Sequence, residues 1–143
     1  MTRSNMTTTI TNKQEILVAK EQDVVPLRNR VKEYAINAGM SILNQTKLIT
    51  ATSELVRNLL KYGGGGKVQI ASLSNSRDVG VSVVFIDNGP GIADISLAMK
   101  DGYSTGKSLG LGLPGTKRLV NEFDIQSEPG KGTTVTIIKW KNG

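Results

Sequence analysis

"VGVSVVFIDNGPGI", residues Val79–Ile92, carries an apolar run into an acid and then into a glycine-rich corner. Valine, isoleucine and phenylalanine at this density favour a strand, and Asp, Asn, Gly and Pro end it. Asp87 either serves the turn alone or points at something beyond it, and this stretch by itself leaves both open. Just upstream, "KVQIASL" (67–73) reads as a second strand, joined to the first through the polar turn "SNSRD" (74–78) as a hairpin.

Working outward, the helices take their place from apolar spacing and from their stops. "EILVA" (15–19) predicts a strand. Asp23 is placed to cap a helix running to about Ala38, with Leu27, Val31, Tyr34, Ala35 and Ala38 at helical intervals and Gly39 as its stop. Ser41 or Asn44 opens a second helix, whose apolar face includes Leu48, Ile49, Leu55, Val56, Leu59 and Leu60. It ends at "YGGGG" (62–66), where a glycine can take the left-handed cap. Downstream, the mostly polar stretch 93–108 has room for one short helix. A third helix is expected over "LPGTKRLVNEF" (113–123), with Pro114 suited to its first turn. "FDIQSEPGKGTTVTIIKW" (123–140) gives two more strands around a Pro-Gly turn. The expected fold class is an α/β two-layer sandwich: a mixed, mostly antiparallel sheet with helices on one face. Residues 1–12 are read as a flexible lead-in and 13–143 as a single domain.

Composition narrows the chemistry. The chain has 143 residues, 18 basic and 12 acidic, for a net charge of +6. It contains neither Cys nor His. Disulfides, thiolate chemistry and imidazole catalysis are excluded, leaving carboxylates, hydroxyls, amides and lysines. No apolar run approaches the roughly 18 residues that cross a bilayer, and "MTRSNMTTTI" has no signal-peptide core. A cytoplasmic location without membrane attachment is expected. The basic residues form short clusters with few aromatics between them, so no nucleic-acid platform is read here.

Two glycine motifs fail on context. Gly110, Gly112 and Gly115 satisfy G-x-G-x-x-G, but a polar loop rather than a strand precedes them. "DGYSTGKS" (101–108) ends like a phosphate-binding loop, yet Asp101 stands where the first glycine is required. An ordered group of three survives. Glu54 and Asn58, four apart on the second helix, share a face beside its apolar stripe. "DNGPGI" (87–92) follows, and then "GLGLPG" (110–115) opens a helix whose free N–H groups suit a phosphate. The Asn58 amide oxygen suits Mg²⁺ held jointly by protein and phosphates. Glu54, one turn away, can accept a proton from an attacking hydroxyl.

In this order the motifs resemble the GHKL superfamily of ATP-binding domains, shared by sensor kinases, gyrase, Hsp90 and MutL. "ELVRN" (54–58) is similar to its N box, "DNGPGI" and "GLGLPG" to its two glycine boxes, and "GTTVTI" (132–137) to the strand that closes the site. The resemblance covers nearly the whole chain and implies the Bergerat-type ATP-binding fold. It implies that Asp87 meets the adenine amino group and that Gly89 and Gly91 let the backbone approach the ring. Residues 93–108 would form a lid over the phosphates, with Lys100 and Lys107 as candidates for the γ-phosphate. The full ATP-binding set it implies is Asn58, Asp87, Gly89, Gly91, Ile92, Tyr103, Thr105, Gly106, Lys107, Gly110, Leu111, Gly112, Leu113 and Thr133. Glu54 is catalytic in this reading, and Asn58 is also the Mg²⁺ ligand.

Within the superfamily, "SELVRN" (53–58), "DNGPGI", "GYST" (102–105) and "GLGLPGTKRLVNEFDI" (110–125) resemble the small serine kinases of bacterial partner-switching modules, and most of all the RsbT-type switch kinases. The resemblance implies a serine/threonine kinase that phosphorylates STAS-domain antagonist and scaffold proteins of a stressosome. When released, it would bind the regulatory domain of a phosphatase and activate it. Anti-sigma-factor kinases often carry His late in the N box, where Tyr62 stands here. The alternatives are such an anti-sigma factor, or a catalytically silent ATP-binding adaptor.

Overall fold

The computed structural model describes residues 7–87, 89 and 112–143. Its elements are β1 (Thr9–Val18), α1 (Val24–Asn37), α2 (Ile42–Gly63), β2 (Gly66–Ser74), β3 (Val79–Asp87), α3 (Gly112–Leu119), β4 (Glu122–Glu128) and β5 (Gly132–Trp140). The strands lie in the order β1-β2-β3-β5-β4, and all four pairings are antiparallel. The sheet is therefore antiparallel throughout these strands rather than mixed.

Alternation along the strands decides which side is covered. Val68, Ile70, Val81, Val83, Phe85, Val135 and Ile137 are buried and form one core with Leu27, Val31 and Ala35 of α1 and Leu48, Leu55, Val56 and Leu59 of α2. Burying such side chains stabilises by about 1.5–3 kcal/mol each, which holds both helices on one face of the sheet. Intervening residues such as Gln69, Val84, Thr134 and Thr136 face the other way.

The helix limits follow the sequence closely at α2. The Ser41 hydroxyl accepts from the Asn44 N–H at 3.1 Å and caps the first turn. At the other end Gly64 takes φ +71°, and the Gly65 N–H returns to the Leu59 carbonyl at 3.0 Å. Gly39, at φ +80°, stops α1 in the same way. In the β2–β3 turn, the Asn75 carboxamide oxygen accepts from the N–H groups of Arg77 and Asp78, both at 2.8 Å.

Three expectations need correction. Asp23 does not cap α1 through its side chain. Its carboxylate instead accepts from the N–H groups of Ala19 and Lys20, at 2.9 and 3.1 Å, in the short 3₁₀ turn before the helix. Those bonds, Ala19 first, hold its pKa below the usual carboxylate value. Strand β1 starts at Thr9, inside the stretch read as a lead-in, because β2 pairs with it from Ser74 to Gly66. This edge strand is exposed over its first half, so no apolar signal marks its beginning. The third helix ends at Leu119, four residues earlier than expected. Phe123 and Ile125 alternate into the core from β4, and the Asn121 side chain accepts the Trp140 N–H at 2.8 Å to fix the corner.

Candidate functional site

The sheet and α2 bring Asp87 into a tightly built corner. Asp87 is the last residue of the central strand β3, half-buried, and its Oδ1 accepts from the Gly89 N–H at 2.8 Å and the Thr133 N–H at 3.3 Å. Gly63, the last residue of α2, lies directly against it. A β-carbon at Gly63 would stand 2.6 Å from Asp87 Cβ and 2.9 Å from Oδ2, closer than any real contact. One at Gly89 would stand 2.8 Å from Gly63 Cα. The corner thus requires glycine at both positions, and it leaves the carboxylate with one oxygen tied to the backbone and one untied among the described residues.

Thr133 belongs to a second line of bonds. Its Oγ1 lies 2.8 Å from Ser127 Oγ, and Ser127 Oγ donates to the Gly132 carbonyl at 3.1 Å. Glu54 and Asn58 sit further up α2. Glu54 is buried, at 8% exposure, and its Oε1 accepts from Arg57 Nη1 at 2.9 Å. Arg57 keeps 56% of its side chain in solvent, so the pair neutralises the carboxylate without sealing it in. Asn58 is half-buried, and its amide makes no hydrogen bond to a described residue. On the helical rise, Asn58 stands about 7.5 Å and Glu54 about 13.5 Å from Gly63 along the α2 axis.

Helix α3 packs on α2. Gly112, at φ +70°, begins it, Leu113 is half-buried, and the buried Thr116 hydroxyl donates to the Gly112 carbonyl at 2.9 Å. Among the expected site residues, Glu54, Asn58, Asp87, Gly89, Gly112, Leu113 and Thr133 are described. Gly91, Ile92, Tyr103, Thr105, Gly106, Lys107, Gly110 and Leu111, with Lys100 and the stretch 93–108, lie outside the described residues. Three residues escaped the sequence reading: Gly63, Arg57 and Ser127. Arg57 left a signal in its spacing of three from Glu54. Gly63 was hidden in a run of four glycines, where only contacts tell one from another.

No group of three or more acidic, His or Cys side chains that could hold a metal occurs among the described residues. The donor set fits Mg²⁺ only as an ion shared with phosphate oxygens, with the Asn58 amide as a single neutral ligand. A groove of about 440 Å³ between β1 and α1, lined in part by Lys13, Arg30, Glu33 and Tyr34, contains none of the site residues. No helix among the described residues is long and apolar enough to cross a membrane.

Residues 43–142 match the family described as "Histidine kinase-, DNA gyrase B-, and HSP90-like ATPase". The chain belongs to this ATPase family. The match takes in nearly all of α2, the corner at Asp87, α3 and the closing hairpin. Among its relatives, the serine/threonine-protein kinase RsbT of Bacillus subtilis (strain 168) is 39% identical over 125 residues, covering 87% of this chain and 94% of that protein. An anti-sigma F factor of Thermoanaerobacter sp. (strain X514) is 30% identical over 138 residues, covering 91% of this chain and 94% of that protein. The crystal structure of the RsbU and RsbW domains of Rv1364c from Mycobacterium tuberculosis superimposes with a TM-score of 0.61 at 24% identity. It covers 90% of this chain, which spans 32% of that larger one, and it supports the fold.

Proposed function

We propose that this chain is an ATP-dependent protein serine/threonine kinase of a bacterial partner-switching module, acting on STAS-domain antagonist and scaffold proteins in the cytoplasm. The observation that carries the reading is the order along α2. The acid that suits an adenine amino group lies at the helix end, the metal-suited amide lies further up, and the buried carboxylate lies beyond that. A nucleotide laid along this helix has its base, its phosphates and its reacting end in the same order. Likeness to a serine/threonine-protein kinase over most of both chains supports the same reaction.

In this reading the untied oxygen of Asp87 accepts from the adenine amino group. Asn58 would hold Mg²⁺ together with the phosphates, and the ion would supply charge neutralisation at the oxygens of the transferring group. The partner's Ser or Thr oxygen bonds to the γ-phosphorus, the bond to the ADP oxygen breaks, and ADP leaves. Glu54 takes the hydroxyl proton, Arg57 holding its other oxygen in place. Positioning and charge stabilisation supply most of the acceleration in such a transfer. When free of its STAS partners, the kinase would bind and activate a phosphatase through that enzyme's regulatory domain.

Likeness to anti-sigma F factors supports a second reading, a kinase that also binds a sigma factor. Incubation with γ-labelled ATP, Mg²⁺ and a STAS-domain protein from the same genome tests the first. Label on a Ser or Thr of that protein is expected, and ATP binding without any transfer would leave an adaptor instead. Retention of a sigma factor in a pull-down would favour the second reading.

A further inference from the structure

Strand β1 is the edge of the sheet, and no other described strand than β2 pairs with it. It runs 10 residues without proline, and the N–H and C=O groups on its outer side are a template for another strand. Its side chains divide by the pleat. Asn12, Gln14 and Ile16 share the helix-covered face with Val68 and Ile70, while Lys13, Glu15 and Leu17 lie opposite Ala71, Gln69 and Lys67 on the open face. The bulge between Ile10 and Asn12 brings Ile10, opposite Leu73, onto that open face as well. Ile10 and Leu17 are 56% and 73% exposed.

This order is self-complementary. Passing over the bulged Thr11, the open face reads Ile10, Lys13, Glu15, Leu17: apolar, cation, anion, apolar. An antiparallel copy of the strand must match face to face, so a two-fold axis passes through a residue and not between two. An axis at Lys13 sets that cation against itself, and one at Glu15 sets the acid against itself. Like charges directly opposite are destabilising. With the axis at Gln14, Lys13 of each copy meets Glu15 of the other, and Ile10 meets Leu17. The Glu15 carboxylate is already held on this face by Gln69 Nε2, at 3.1 Å.

We infer that two copies of this chain pair through β1, antiparallel about a two-fold axis at Gln14, joining their 5-stranded sheets into one. A two-fold interface uses the same patch on both copies, and the complementary halves of β1 supply such a patch. The two Gln14 carboxamides face each other at the axis, each offering donors and an acceptor. On the helix side, Asn12 and Ile16 of the added strand enter the groove of about 440 Å³ between β1 and α1, whose wall includes the exposed Ile36. The corner at Asp87 lies on β3, with β2 between it and this edge, so pairing leaves nucleotide binding unchanged.

Sedimentation of the full chain across a range of concentrations tests it, with a dimer expected. Lys13→Glu or Glu15→Lys alone puts two like-charge pairs into each dimer and should raise the dissociation constant about tenfold or more. Lys13→Glu combined with Glu15→Lys exchanges the charges and should restore pairing. ATP affinity should stay the same throughout, which keeps loss of pairing apart from loss of fold. Because the chain has no cysteine, Gln14→Cys gives a second readout that leaves the charges alone. Opposed at the axis, its two thiols lie within disulfide range and should link the copies on mild oxidation. In Asn12→Cys the thiols stand four ladder positions apart, about 13 Å, and should not link. A chain that is monomeric at every concentration would overturn the proposal and leave the edge to a strand of another protein. A dimer indifferent to charge reversal, or one linked as readily through Asn12→Cys, would overturn it as well.

Discussion

Asp87 takes two backbone N–H groups on one oxygen, and this fixes what an amide would do in its place. In Asp87→Asn the carboxamide oxygen must face Gly89 and Thr133, so its NH₂ group points where the untied oxygen was. A donor then meets the donors of the adenine amino group. The fold should persist while ATP affinity falls about 10- to 150-fold, the cost of losing a charged hydrogen bond of roughly 1.5–3 kcal/mol. Calorimetry on the folded variant decides it, and unchanged affinity would detach Asp87 from the base. Glu54 gives the complementary case. Glu54→Gln keeps an oxygen for Arg57, so packing and ATP binding should survive, but the amide cannot take a proton. Transfer to the partner should slow at least ~100-fold in single turnover, within the range that general bases contribute. Near wild-type transfer would remove Glu54 from the chemistry. Both residues were legible in the sequence because their motifs are local. Gly63 and Ser127 were not, because each matters through a neighbour distant in sequence, and only three-dimensional contact tells which of several glycines or serines that is.

Elements differ in how plainly the chain announces them, and α2 is the plainest. Ser41 caps it, Gly64 ends it, and apolar residues at helical spacing line its buried side, so both ends match the expectation. Besides Glu54, Thr52 breaks the pattern on that side. Its hydroxyl side chain is fully buried, and Oγ1 has no hydrogen-bond partner among the described residues. Valine has nearly the same shape and a similar helix propensity. Thr52→Val should therefore raise stability by about 1–2 kcal/mol, the penalty of an unpaired buried hydroxyl. Chemical denaturation with an unchanged m-value would show it, and a loss of stability would mean the hydroxyl has a partner in solution. Strand β1 and the end of α3 were less legible for opposite reasons. β1 begins as an exposed edge strand and owes its limits to β2, which a local reading cannot see. At α3, Leu119 and Val120 continue a helical pattern, but Phe123 and Ile125 are claimed by the sheet. Tertiary packing overrides propensity there.

At the scale of the whole molecule, one cation among the described residues lies where a core residue would be expected. Lys139 of β5 is 3% exposed, its Nζ donating to the Gly143 carbonyl at 3.2 Å. Burial, and then the charge of Lys47, hold its pKa below the ordinary 10.5. The unfolded chain therefore binds this proton more readily than the native one does. The penalty is complete below the folded-state pKa and is relieved as pH rises toward 10.5. Lys139→Met should raise Tm at pH 7, and the gain over wild type should shrink by pH 10. A gain that does not depend on pH would mean that charge is not the cause. The order of the strands has a consequence for synthesis. Glu54, Asn58 and Asp87 all leave the ribosome well before Thr133, which is 46 residues beyond Asp87 in the chain. Until the last hairpin emerges, β3 lacks a neighbour on one side and its acid lacks half of its anchorage. Ribosome-bound chains arrested before Gly132 should retain no labelled ATP, while residues 1–143 carried clear of the exit tunnel on a linker should retain it. Nucleotide capture would then mark the emergence of the last hairpin, and a fragment released before it would carry Glu54 and Asn58 with no nucleotide beside them.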